Sequence, residues 1–138
     1  MSTPPPATIR QSVESLERRR HFAAQVVDRV LIVTGTEGVD EIVMTRAEAA
    51  PNLSVTINGV EQIIAVSTFD STRIECLGGN DVVDATNLAG LPVTVLGGLG
   101  NDRIGTCQGG DSIEGGEGLD TIVANDGDDT VLGGAGSD

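Results

Sequence analysis

The apolar and polar positions of this chain follow two different patterns. Between Val30 and Met44, and again between Leu53 and Ile64, the apolar residues are mostly β-branched, which is typical of short strands. From Gly97 to Asp138 the pattern becomes a nine-residue repeat. Its blocks read GGLGNDRIG, TCQGGDSIE, GGEGLDTIV, ANDGDDTVL and the unfinished GGAGSD. We therefore predict a β-rich chain that ends in a repeat architecture.

Three columns of this repeat stay in phase along its whole length. Glycine fills the fourth position, at Gly100, Gly109, Gly118, Gly127 and Gly136. Aspartate fills the sixth position, at Asp102, Asp111, Asp120, Asp129 and Asp138. A branched aliphatic residue fills the eighth, at Ile104, Ile113, Ile122 and Val131. A glycine-rich hexapeptide bends tightly, and the three residues after it suit a very short strand with one inward apolar side chain.

Two such units complete one coil, so loops 18 residues apart are expected to stack on one another. Stacking brings Asp102, Asp120 and Asp138 to one edge of the coil, and Asp111 and Asp129 to the other. Carboxylates repeated at the spacing of neighbouring strands, about 4.8 Å, repel one another unless a cation neutralises them. Carboxylate and carbonyl oxygens suit a hard cation that tolerates variable geometry, which favours Ca²⁺ over Zn²⁺ or Mg²⁺.

The blocks resemble the calcium-binding RTX, or hemolysin-type, repeat G-G-x-G-x-D-x-U-x, in which U is a large aliphatic residue. Gly115, Gly116, Gly118, Asp120 and Ile122 match this pattern at every fixed position. The alternate units depart from it, with TC and AN in place of the first two glycines. The resemblance implies an all-β fold, a parallel β-roll or β-solenoid with calcium-binding turns stacked along its edges.

In the family, each Ca²⁺ lies between stacked loops and is held by the aspartate side chain and backbone carbonyls. The metal ligands that the resemblance implies here are Asp102, Asp111, Asp120, Asp129 and Asp138. The glycines that would present backbone oxygens or permit the turn are Gly98, Gly100, Gly109, Gly116, Gly118, Gly127, Gly134 and Gly136. The segment CLGGNDVVD returns to the same phase, so Asp81 is expected to stack under Asp102 as a further ligand.

The part of the chain before the repeat is predicted to be a leader followed by a cap. Residues 1–30 comprise a Pro-rich tail and a short helix over Val13–Val27. Residues 31–96 form an irregular β cap, with one isolated repeat unit at Gly35–Val43 and a hairpin whose Asn58-Gly59 pair suits a type I′ turn. Ala85–Leu96 carries Pro92 and no aspartate at the ligand position, so it is predicted to be a half-coil without calcium. Residues 97–138 form the roll.

The leader segment VESLERRRHFAA has three interpretations. It resembles a leader motif of large repetitive surface proteins of planctomycete-like bacteria. Its R-R-x-F core also matches a twin-arginine signal, although Asp28-Arg29 interrupts the apolar run that follows. The third interpretation is an exposed basic helix that lies on the first coil.

Composition narrows the range of functions. A net charge of −13 without any lysine argues against nucleic acid as a partner, and would couple folding to the binding of cations. The chain has a single histidine and neither a G-x-S-x-G nor an H-E-x-x-H motif, so we do not expect an enzyme. Length and charge also argue against a transmembrane segment. Cys76 and Cys107 fall on opposite half-coils and are predicted to remain unlinked.

These features predict a non-catalytic, calcium-dependent structural module of an extracellular or cell-surface protein, which folds when it binds Ca²⁺. The sequence reaches Asp138 before the strand that would complete the half-coil. This suggests either a fragment of a longer repeat protein or a homo-oligomer. The alternative function is therefore a subunit of a surface fibre or adhesin that polymerises through the ends of the solenoid.

Overall fold

The computed structural model describes residues 23–138, which form an all-β structure with one short 3-10 turn at Val66–Thr68. The prediction of an all-β fold is confirmed. Twelve strands make two six-stranded sheets. The strands are β1 Ala23–Val27, β2 Val30–Thr34, β3 Glu41–Thr45, β4 Asn52–Ile57, β5 Val60–Ala65, β6 Ser71–Glu75, β7 Val82–Asn87, β8 Val93–Leu99, β9 Arg103–Gly105, β10 Ser112–Glu117, β11 Thr121–Val123 and β12 Thr130–Ala135.

In the repeat the chain alternates between the two sheets, so each coil contributes one strand to each of them. The first sheet has the order β1-β2-β6-β8-β10-β12, and the second has the order β11-β9-β7-β3-β4-β5. Strands β8, β10 and β12 pair in parallel, which aligns Val95 with Ile113 and Ile113 with Val131. These residues are 18 apart, which is the coil length that the repeat predicts.

The sheets are mixed rather than wholly parallel, because antiparallel strands lie at the N-terminal end of each. Strand β1 pairs antiparallel with β2 in the first sheet. In the second sheet β4 pairs antiparallel with both β3 and β5. The predicted hairpin is confirmed, with Asn58 at φ 50° and Gly59 at φ 82°, as a type I′ turn requires.

The predicted helix over Val13–Val27 is wrong for Ala23–Val27, which is strand β1; residues 13–22 lie outside the described residues. Asp28 and Arg29 both have positive φ and form the two-residue turn into β2. This turn folds β1 back along the edge of β2, where Ala24 and Val26 pack against the core. Pairing at a sheet edge thus overrides the local preference for helix.

Alternate residues of both sheets point inward and form one buried cluster, which includes Leu31, Val33, Ile42, Met44, Ile74, Val83, Val95, Ile104 and Ile113. Of the predicted interior residues, Ile104 and Ile113 are buried and Ile122 is partly buried, but Val131 is 44% exposed. Cys76 and Cys107 are buried and free, as predicted. Among residues 23–138 no helix has the length and apolar character needed to cross a bilayer.

Candidate metal centre

Five aspartates form a single column along the first edge, joined by hydrogen bonds from backbone to side chain. The N–H of Asp40 donates to Oδ1 of Asp81 at 2.7 Å, and the N–H of Asp81 donates to Oδ1 of Asp102 at 2.8 Å. The ladder continues from Asp102 to Asp120 at 2.8 Å and from Asp120 to Asp138 at 3.1 Å. The stacking predicted for Asp81, Asp102, Asp120 and Asp138 is therefore observed, while their role as ligands stays a prediction.

A shorter column runs along the second edge. The N–H of Asp111 donates to Oδ1 of Asp129 at 2.8 Å. One coil earlier, Val93 stands where an aspartate would be, and its N–H donates to Oδ1 of Asp111 at 3.0 Å. The second column therefore begins at Asp111, because the half-coil before it has no carboxylate at the ligand position.

Four of these carboxylates have one oxygen that is buried without a hydrogen-bond partner among residues 23–138. The unpartnered atoms are Oδ2 of Asp81, Asp102, Asp111 and Asp120. The four residues are at most 4% exposed. Burying a carboxylate oxygen without a partner costs several kcal/mol, at about the scale of the whole stability of a domain, so a charge of this kind is normally paired or bound to a metal.

The first position of each complete unit forms a cradle lined by oxygen atoms. A Cβ added to Gly97 would lie 2.6 Å from Oδ2 of Asp102 and would collide with the carbonyl oxygen of Gly115 in the next coil. A Cβ added to Gly115 would lie 2.5 Å from Oδ2 of Asp120. Glycine thus leaves room beside an unpartnered carboxylate oxygen and a backbone carbonyl. This donor set is the one that Ca²⁺ prefers.

Burial also changes the acidity of the first column. It raises the pKa of Asp81 to about 7, with further repulsion from Asp102 and Asp40, against the opposing effect of the hydrogen bond from the N–H of Asp40. Burial likewise raises the pKa of Asp102, where Asp120 adds repulsion and the N–H of Asp81 opposes the rise. Ionisation of these two carboxyl groups is therefore unfavourable in the metal-free stack, and a bound cation would favour the ionised form.

The carboxylates do not converge on one point. Among residues 23–138, no three side chains of Asp, Glu, Cys or His come together in a way that could hold a metal ion by themselves. Each aspartate lies one coil from the next, so a metal here would need backbone oxygens as well. Asp129 is half-buried and Asp138 is exposed, so the structure encloses these two predicted ligands less than the others.

All eight glycines predicted to present oxygens or permit the turn have positive φ: Gly98, Gly100, Gly109, Gly116, Gly118, Gly127, Gly134 and Gly136. At several of them the preceding coil is also too close for a side chain. A Cβ at Gly118 would overlap the carbonyl oxygen of Gly100, and one at Gly116 would overlap that of Gly98. The glycine columns are therefore needed for stacking as well as for the turn.

Gly118→Ala is expected to lower the free energy of unfolding by about 3 kcal/mol or more, since it combines a strained φ of 139° with a clash against the preceding coil. Gly59→Ala is the matched control. Gly59 also has positive φ, but no heavy atom lies within 4 Å of its added Cβ, so only about 1 kcal/mol is expected there. Urea unfolding of both variants in calcium measures the two changes. If both variants lose the same free energy of unfolding, the close contact between Gly118 and Gly100 is contradicted.

Sequence reasoning missed two features of the first edge. Asparagine side chains form a second ladder beside the aspartates, in which Asn80 accepts the N–H of Asn101 and Asn101 accepts the N–H of Leu119. Asp40 heads the aspartate column although 41 residues separate it from Asp81. The ladder residues share the fifth position of their loops, which could have indicated the asparagine ladder. Asp40 is the sixth residue of the isolated repeat unit Gly35–Val43, which was predicted to start the stack, but its separation of 41 residues from Asp81 is not a multiple of nine.

Comparison with known proteins gives one match. Residues 108–138 match the RTX calcium-binding nonapeptide repeat, in four copies, and RTX nonapeptide repeats bind Ca²⁺. No curated protein and no solved structure matches the chain. The match identifies an RTX repeat in this chain, as the sequence predicted. It begins after Asp81 and Asp102, so the case for these two residues depends on the geometry of the column.

Proposed function

We propose that this chain is a non-catalytic, calcium-dependent structural module whose stacked turns form an RTX-type β-roll over residues 97–138, capped by residues 31–96. The observation that carries the proposal is the row of buried, unpartnered Oδ2 atoms along the two edges. Bound Ca²⁺ would neutralise these atoms. The match of residues 108–138 to a calcium-binding repeat supports the same conclusion independently.

The aspartate side chains and the loop carbonyls would hold the ions between successive coils. On the first edge the side-chain ligands would be Asp81, Asp102, Asp120 and Asp138. On the second edge they would be Asp111 and Asp129. The glycine at the first position of each complete unit would keep the space clear, which is the role that the cradles at Gly97 and Gly115 support.

The proposed setting is extracellular or at the cell surface. A net charge of −13 opposes compaction until cations bind. Ligand sets made largely of carbonyls with one carboxylate per loop are of the weak kind that fill near millimolar Ca²⁺, the concentration outside cells. At low cytoplasmic calcium the repeat would stay loose, and it would fold after export.

A calcium titration of the whole chain tests this function. Between chelator and millimolar Ca²⁺, circular dichroism is expected to show a gain of β-structure, and calorimetry is expected to show binding of several ions. No change in either signal would refute the proposal. A midpoint below about 10⁻⁷ M, in the range of cytosolic buffers, would argue against the extracellular setting while leaving calcium binding intact.

A second candidate function is self-assembly through the C-terminal coil into a surface fibre. Of the two outermost strands in each described sheet, β12 in the first and β11 in the second belong to the repeat, and Val123, Val131 and Leu132 are 52%, 44% and 60% exposed there. Such strand edges accept further strands. Light scattering during the same titration separates the two functions, since the particle mass of a fibre subunit would grow with protein concentration in calcium and that of an isolated module would not.

A further inference from the structure

Asp40 differs from every other carboxylate of the first column that is equally buried. It is fully buried, and it donates its N–H to Asp81 as the ladder requires. Both of its carboxylate oxygens, however, already have partners. The N–H of Thr36 donates to Oδ2 at 2.5 Å, and the hydroxyl of Thr36 lies 3.1 Å from both oxygens. The side-chain amide of Asn58 donates to Oδ1 at 2.7 Å.

Asn58 reaches Asp40 from the turn of the hairpin β4–β5, and three contacts fix its position. Its backbone N–H donates to the carbonyl of Glu41 at 2.9 Å. Its Oδ1 accepts the N–H of Glu41 at 2.8 Å. With the oxygen engaged in this way, the NH₂ group faces Asp40. The turn thus supplies to Oδ1 of Asp40 the donor that the N–H of the preceding coil supplies to Oδ1 of Asp81 and Asp102. Oδ2, the oxygen that has no partner in Asp81 and Asp102, is engaged in Asp40 by the N–H and the hydroxyl of Thr36.

We propose that the hydrogen bonds from Thr36 and Asn58 take the place of a cation at the head of the first column, so that the coil containing Asp40 folds without calcium and serves as the template for the calcium-dependent coils. This inference rests on the proposed function, in which Ca²⁺ neutralises the carboxylates below. It goes further by dividing the column into a head held by hydrogen bonds and a body held by ions.

The geometry of the column gives a reason for this division. In the body, each cradle takes oxygens from two successive coils, as Gly97 does with Asp102 and the carbonyl of Gly115. At the head, a Cβ added to Gly35 would lie 2.6 Å from Oδ2 of Asp40 and 3.1 Å from the carbonyl oxygen of Cys76 in the next coil, so the same kind of cradle is present. There, however, Thr36 already engages Oδ2, and the hairpin turn engages Oδ1. These donors, including the amide that Glu41 holds in place, are present at any calcium concentration. Charge-assisted hydrogen bonds of this kind are strong.

A template of this kind would reduce the cost of folding in calcium. The first coil of a parallel stack has to be ordered before any neighbouring coil can pair with it, so its entropy is lost without any gain from stacking. If residues 30–65 are already ordered, each later coil adds to an existing edge and binds its ions as it docks. The repeat would then fold from the N-terminal end toward the C-terminal end.

Hydrogen exchange of the whole protein, measured by mass spectrometry in chelator and in millimolar Ca²⁺, tests the division directly. Peptides from residues 30–65 are expected to be protected equally in both conditions. Peptides from residues 97–138 are expected to exchange at least about tenfold more slowly in calcium. Calcium protection that begins at Gly35–Asp40 and is as large there as in the repeat would overturn the inference. Protection by calcium in neither region would instead refute the proposed function.

Two variants of Asn58 distinguish the effect of its side-chain amide from the effect of the turn conformation. Asn58→Gly keeps a residue that tolerates positive φ but removes the donor, so exchange in Gly35–Asp40 is expected to become about tenfold faster, with no rescue by calcium. Asn58→Asp replaces the donor by a carboxylate that faces Asp40, so the same loop should lose protection in chelator and regain it in calcium. If both variants exchange like the natural protein in chelator, the hydrogen bonds at the head do not hold the Asp40 loop and the inference is wrong.

Discussion

Asp102→Asn is expected to stabilise the metal-free protein and to destabilise the calcium-loaded protein. Asparagine keeps the oxygen that accepts the N–H of Asp81, so the ladder survives, but an NH₂ group replaces the unpartnered Oδ2. Without metal, an unpartnered amide costs less to bury than an unpartnered carboxylate, and the free energy of unfolding should rise by about 1 kcal/mol.

In calcium, Asp102→Asn is expected to lower the free energy of unfolding rather than raise it, because the calcium site of Asp102 is lost. The free energy of unfolding should fall by about 2–3 kcal/mol, the stabilisation supplied by one ion at about a hundred times its dissociation constant. Urea unfolding in chelator and in calcium measures both changes on the same protein. The informative result is a variant that is more stable than the natural protein in chelator and less stable in calcium. A purely structural defect would lower stability in both conditions.

Asp128→Asn is the matched control for Asp102→Asn. It removes the same charge from the same repeat, but Asp128 is exposed and lies outside both aspartate columns. Its effect is expected to stay within about 0.5 kcal/mol in either condition, as for most surface substitutions. The buried Oδ2 of Asp102 is not a metal ligand if Asp102→Asn destabilises the protein in chelator. The same conclusion follows if Asp128→Asn also raises stability in chelator and lowers it in calcium.

The sequence predicts the repeat well because three columns share one phase. The two-unit coil, the alternation of edges and the inward positions of Ile104 and Ile113 all follow from a nine-residue period combined with the geometry of short strands. The same argument places Asp81 under Asp102 even though the coil between them has 21 residues rather than 18. An insertion that leaves the coil does not change which residues stack.

The N-terminal part is less predictable because its contacts are between residues far apart in sequence. Ala23–Val27 has reasonable helix formers, and only the open edge of β2 explains why it is a strand. The Asn58-Gly59 turn is predicted from its two residues, but the contact of Asn58 with Asp40 depends on how the hairpin docks. Local patterns determine turns and periods, whereas the docking of a cap depends on which edges remain unpaired.

The antiparallel strands at the N-terminal end make the two ends of each sheet different, which the repeat alone would not do. Strand β1 covers β2 in the first sheet, and the hairpin β4–β5 covers β3 in the second. Side chains there are larger than in the glycine-rich coils, and Leu53, Val55 and Ile57 are fully buried. Apolar burial therefore stabilises this end without cations, while the repeat, with few large side chains, depends on them.

The metal-free protein is expected to lose stability as the pH rises from about 4 to about 7, and Asp81 is the main reason. The pKa of this carboxyl rises from its ordinary value of 3.8 to about 7 in the folded stack, first because of burial and then because of repulsion from Asp102 and Asp40. Over this interval the folded state holds a proton that the unfolded state has released, so folding is favoured at the lower pH and this contribution is lost as the pH passes 7.

Calcium should reverse this dependence, because the ion binds the ionised carboxylate and displaces the proton. Below pH 7 the apparent affinity of the Asp81 site is expected to fall about tenfold per pH unit. Thermal unfolding from pH 4 to pH 8, with chelator and with calcium, gives both slopes, and Asp81→Asn supplies the control because its side chain does not titrate. A metal-free protein that gains stability toward pH 7, or equal slopes with and without Asp81, would show that this carboxyl is not the buried, proton-binding group at the start of the ion column.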